Sequence, residues 1–101
     1  MNIELAINRV YTFKLTSGEE LIAKIVSIND QWITVTNPVS VAPGPQGMGL
    51  VPAMFTVEPG SNSQLNIHNI TIYAPTDDAV TSRYIEATTG LRIPEKKIVM
   101  G

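Results

Sequence analysis

The chain has 101 residues, 44% of them hydrophobic and 16% charged, enough to bury one core and too few for two ordinary domains. With no cysteine, one histidine and a formal net charge of -2, it excludes a disulfide framework, a thiolate or histidine metal cluster, and a generally basic surface that grips phosphates. The start MNIELAINRV places Glu4 and Arg9 within its apolar stretch, so neither a signal peptide nor a membrane span is expected, and a reducing, cytoplasmic setting fits.

Asn2 to Asn8 is a short amphipathic stretch. Val10 to Leu15 then alternates, with Tyr11, Phe13 and Leu15 on one side and Thr12 and Lys14 on the other, as a half-buried strand does. Thr16-Ser17-Gly18-Glu19 follows as a tight turn in which Gly18 can take a positive φ. Glu20 to Ile28 is apolar on both parities, Leu21, Ala23 and Ile25 against Ile22, Val26 and Ile28, which predicts a strand covered on both faces. Asn29-Asp30-Gln31 makes a polar turn, and Trp32 to Thr36 resumes alternation with Ile33 and Val35 on one face. Pro38 marks an edge or a bulge before Val39 and Val41. The Pro- and Gly-rich run from 38 to 52 reads as an irregular loop around Ala42 to Gly47. Val51, Ala53, Phe55 and Val57 share one parity and suggest a further strand, closed by the turn Glu58 to Ser63.

From Gln64 to Ala74 the apolar parity slips: Leu65 and Ile67 are odd, Ile70, Ile72 and Ala74 even. A slip inside one strand would turn one set to solvent, so two short strands joined by a bend at His68-Asn69 are expected. After Pro75 the period becomes helical. Thr76 is expected as N-cap, Asp77 and Asp78 lie in the first turn, Val80, Tyr84, Ala87 and Leu91 form one face, and Gly90 ends the helix. Pro94 prevents its continuation, and residues 95–101 are expected to form a tail.

Five or six short strands with two early hairpins describe an all-β fold, a small, strongly bent barrel of the SH3-like or OB-like kind with an added C-terminal helix over 76–90. Gly18, Ala23, Ile25, Asn29-Asp30, Trp32 and Val35 resemble the first motif of the Sm, LSm and Hfq proteins: a turn glycine, a small residue five places on, and an acid-bearing turn before a bulky apolar residue. Ile67-His68-Asn69-Ile70-Thr71-Ile72 resembles the second motif, and Tyr73-Ala74-Pro75 closes much as the Hfq strand closes into proline. The resemblance covers about residues 9–75. It departs from the family at Ile33, where the pattern places an asparagine that reads a base edge, and at His68, where it places an arginine. The clear helix follows the barrel instead of preceding it, as in a divergent branch such as those found among phage proteins.

The resemblance implies a single Sm-like domain over 1–101, a five-stranded barrel whose fourth and fifth strands pair with a neighbour's. The implied partner is the chain itself, in a homo-oligomeric ring; closed edge-to-edge pairing satisfies open ladder groups without fibre growth. Symmetry would also let an acidic domain bind nucleic acid locally, by gathering a few side chains around one axis. Single-stranded RNA is the implied ligand near the pore, and position carries the contacts to Asn29, Gln31, Trp32, His68 and Asn69. Each has a plainer role. Asn29-Asp30 forms turns, Trp32 matches a position the motif buries, and His68-Asn69 tolerates unusual backbone angles at a bend.

A base held near a partner by a third group, a phosphate-cradling loop and a dinucleotide fingerprint are all missing from the sequence. The expectation is a protein that is not an enzyme, with no metal, cofactor, membrane or small-molecule substrate. The other reading is a protein-interaction or phage assembly module without RNA binding.

Overall fold

The computed structural model describes residues 4–89. Leu5 packs against the core, and the segment holding it is fixed by two phenols. The Tyr73 hydroxyl accepts from the Glu4 amide and the Tyr11 hydroxyl from the Ala6 amide, each at 3.0 Å. Strand β1 (Val10–Leu15) turns through Gly18, at φ 92°, into β2 (Glu20–Ile28). The expected alternation holds in β1, where Tyr11 and Phe13 are buried and pair with Ala23 and Leu21.

β3 runs from Trp32 to Gly44 and is folded by one irregularity. Thr36 pairs with Lys24 and Val39 with Ile22, so Asn37 and Pro38 together face Ala23. This is the bulge that Pro38 announces, and Asn37 takes φ 49° to make it. Its consequence is a change of face. Ile33 and Val35 point into the main core, whereas Val39 and Val41 pack on the other side of the sheet with Ile22. A second register shift, between Ile25 and Ser27, has the same effect on β2. Ile28 packs against the main core, not on the face of Ile22 where simple alternation puts it.

The expected loop at 38–52 is a hairpin. β3 continues to Gly44 and pairs with β4 (Gly47–Pro52), Gly47 closing the turn at φ 105°. Pro43 is tolerated because β2 pairs with β3 only as far as Ser40, and Pro52 because β4 is the end strand of the sheet order, so each missing N–H can fall on an outer edge. The strand expected through Phe55 and Val57 is not formed; β4 stops at Pro52, and β5 is Asn62–Asn66. A 3-10 turn, Ile67–Asn69, then leads to β6 (Ile70–Pro75), so the parity slip is two short strands joined by a bend. Within β6 the faces differ from expectation. Tyr73, opposite Phe13, packs on the core, and Ile72, opposite Lys14, is 65% exposed.

The result is one antiparallel sheet of six strands, not five, in the order β4-β3-β2-β1-β6, with β5 also on β3. β5 lies off this path on β3, on the far side of β2 and β1 from β6, yet only three residues separate β5 from β6, so the sheet is bent between them. Its concave side holds Phe13, Ala23, Ile25, Ile33, Val35 and Ile67, each at most 1% exposed. Helix α1 (Asp78–Thr89) covers the other side. Asp77 caps it, its Oδ2 accepting the Ala79 and Val80 amides at 3.1 and 3.4 Å. Thr76, the expected cap, is buried and bonds the Thr12 hydroxyl at 2.8 Å instead. Tyr84 and Val80 pack on Ile22 and Val39. Gly90, Leu91 and the expected tail lie outside the described residues. Among the described residues no helix is long and apolar enough to cross a membrane.

Candidate nucleic-acid interface

The β2–β3 turn is built by its own first residue. Asn29 Oδ1 accepts the Gln31 amide at 3.0 Å and the Trp32 amide at 2.8 Å, and the Asn29 amide donates to the Trp32 carbonyl at 2.9 Å. Such an Asx turn satisfies two amides that a short connection would otherwise leave to water. The Asn29 acceptor is thereby committed, and its amide N–H groups are what it offers outward.

The bend before β6 uses the same device. Asn66 Oδ1 accepts the His68 amide at 3.0 Å, and the Ile70 amide closes the turn on the Ile67 carbonyl. Ile67 drops into the core at 1% exposure, which forces His68 and Asn69 to the surface. Two further bonds place this bend. The Ile67 amide donates to the Gln31 carbonyl at 2.9 Å, and the Thr16 amide donates to the Asn69 carbonyl at 2.8 Å.

Residues 29–32 and 66–69, more than thirty positions apart in sequence, therefore form one corner. Trp32 stands opposite Asn66 in the β3–β5 ladder and is 38% exposed, so it is not the core residue its motif position implies. Ile33, where the Sm pattern has its base-reading asparagine, is fully buried. Asn29, Gln31, His68 and Asn69 are all exposed. Sequence reasoning missed Asn66, the capping residue that orients the bend. An asparagine two places before the amide it caps is the signal that could have found it.

The corner offers an indole face, an imidazole and several amides, with Asp30 as its acid. Such a set suits unstacked bases, which stack on aromatic faces and hydrogen-bond through their edges, better than phosphates. Among the described residues no three His, Cys, Asp or Glu side chains come together as a metal site would require. No model of a known protein family and no curated protein matches the chain.

Proposed function

We propose that the chain is a cytoplasmic, non-enzymatic Sm-like protein: a bent barrel that closes into a homo-oligomeric ring and binds single-stranded RNA at the corner of Asn29, Gln31, Trp32, His68 and Asn69. The observation that carries this reading is the bond from the Ile67 amide to the Gln31 carbonyl, 2.9 Å. It joins the two turns that the paired Sm-like motifs make the RNA contacts. The ring is supported by the edges. β5 and β6 are short and, among the described residues, each pairs on one side only, and open edges that pair with one another in a closed cycle satisfy each other's ladder groups. A ring also repeats the corner, so a chain of net charge -2 would bind through many weak base contacts along one strand.

Fluorescence polarisation with labelled A-rich and U-rich RNA oligomers, run beside native mass spectrometry, tests both parts. Binding should quench Trp32 and weaken at least tenfold in His68→Ala/Asn69→Ala. Trp32→Ala should lose about 1–3 kcal/mol per stacked base. An assembled ring that ignores every oligomer would reject RNA and leave the protein-interaction or assembly module. A monomer at micromolar concentration would reject the ring.

A further inference from the structure

The bulge in β3 also anchors a strap. The Ala53 amide donates to the Pro38 carbonyl at 2.9 Å, and the Gly60 amide donates to Asn37 Oδ1 at 3.1 Å. These bonds hold residues 53–60 at the bulge, between β4 and β5. Between the strap, the β3–β4 hairpin and the last turn of α1 lies a groove of about 660 Å³. Val39 and Leu50 form its floor and Met54, Phe55 and Val57 its wall, and among the described residues Glu58 is the one charged residue lining it. Phe55 is 78% exposed. A strap tied at both ends that leaves an aromatic outward is the kind of apolar surface that marks an interface.

We infer that this groove is the second half of the subunit interface, occupied by β6 of a neighbouring copy with Ile72 as its apolar contact. The inference rests on the ring reading above. The groove runs into the free edge of β5 through Ser61 and Ser63. A neighbour adding its β6 antiparallel to that edge brings its last residues, Ile72 to Pro75, to the Asn62 end, beside the groove.

The faces agree as well. Ile72 lies opposite Lys14, on the sheet side away from Phe13, whereas the adjacent Tyr73 faces the core. Val39 and Leu50 belong to that same outer side, where they pack with Ile22 and Tyr84. A sheet continued across the interface keeps its faces, so Ile72 arrives on the side where the groove opens.

Area gives the remaining reason. A five-residue ladder about 17 Å long and about 4.8 Å wide covers on the order of 80 Å² per face. A stable interface buries about 800 Å² per partner, so strand pairing alone falls well short. An apolar groove contiguous with the paired edge adds buried apolar area to that pairing.

The chain contains no cysteine, which makes cross-linking direct. Val57→Cys and Ile72→Cys are co-expressed as separate chains and oxidised. A disulfide-linked dimer carrying one of each is expected, and it cannot arise within one chain. Independently, Phe55→Ser/Val57→Ser should raise the dissociation constant of the oligomer at least tenfold in concentration-dependent native mass spectrometry, with the far-ultraviolet circular dichroism of the subunit unchanged. An assembled wild-type ring with no cross-link and no change in dissociation would overturn the inference and spare the ring, leaving the groove to a foreign protein or to residues beyond Thr89. A wild-type monomer at micromolar concentration would instead remove the ring reading itself.

Discussion

Replacing Tyr84 by phenylalanine tests how the helix is held. The ring would stay packed on Ile22 and Val39, while the hydroxyl that stands 3.0 Å from both the Thr36 and the Asn37 carbonyls would be lost. Those carbonyls belong to the bulge, where the ladder to β2 is interrupted. One hydrogen bond is worth about 0.5–1.5 kcal/mol, and stranding a buried acceptor costs about 1–3 kcal/mol. Thr36 and Asn37 are half-buried, so water can partly replace the phenol, and Tyr84→Phe should cost about 1–2 kcal/mol. Tyr84→Ala, which also empties the space beneath the helix, should cost about 3–5 kcal/mol.

The same phenol makes stability depend on alkaline pH. Burial pushes the Tyr84 pKa from 10.0 up to about 12, so the folded state holds the proton more tightly than the unfolded chain. The contribution is complete below pH 10, falls as the pH rises toward 12, and is lost above it. Two pK units correspond to about 3 kcal/mol at full effect. Urea unfolding followed by circular dichroism, at one fixed protein concentration, measures both effects. Wild type should lose stability more steeply than Tyr84→Phe between pH 10 and 12. Equal stability at neutral pH to within about 0.5 kcal/mol, or parallel loss in both proteins above pH 10, would refute the pinning of α1 by this hydroxyl.

Asn37 carries two roles that different substitutions separate. Asn37→Gly keeps the φ of 49° and loses only the bond to the Gly60 amide, whereas Asn37→Ala adds strain of about 1–2 kcal/mol; urea midpoints should rank alanine below glycine. Asn29→Ala frees the Gln31 and Trp32 amides and should cost about 1 kcal/mol. Asn29→Asp keeps the acceptor and should stay near wild type in the same assay. Ile33→Ala, at a fully buried position, should cost about 2–5 kcal/mol and lower the thermal midpoint by at least 8 °C, at about 4–8 °C per kcal/mol for a domain near this size.

What the sequence made legible was local. β1, β2 and the first half of β3 show in their alternation because one core receives Phe13, Ala23, Ile25, Ile33 and Val35. The bend at His68-Asn69 shows because a slip in parity has few other causes. What stayed hidden depended on pairing. Pro43 and Pro52 discourage a strand assignment until it is seen that their outer edges carry no ladder. Val51 to Val57 keep one parity, yet no strand takes up residues 53–57, and Phe55 ends in solvent. Ile72 and Tyr73 exchange faces because the β1–β6 register shifts between Lys14 and Leu15. The cap falls on Asp77 and not Thr76 because the Thr76 hydroxyl is already bonded to Thr12. In the corner, the motif residues were legible one by one. Their meeting was not, since it rests on a backbone bond from Ile67 to Gln31 that no side-chain pattern encodes.

The bulge at Asn37-Pro38 also separates the two surfaces that the proposals assign. Trp32 lies before it and Val39 after it on the same strand, seven residues apart, which is about 24 Å along an extended chain. On the proposed reading the corner and the groove are separate surfaces of one subunit and would be coupled through assembly. A change in the groove can weaken RNA binding solely by depopulating the ring, so the defect of Phe55→Ser/Val57→Ser should vanish when the protein concentration is raised above its dissociation constant. The defect of Trp32→Ala should persist at every concentration, because each corner would have lost its own stacking face. Titrating RNA at several protein concentrations distinguishes the two cases. A groove variant that stays defective when fully assembled would show that strap and corner communicate inside the subunit, contrary to what the bulge between them implies.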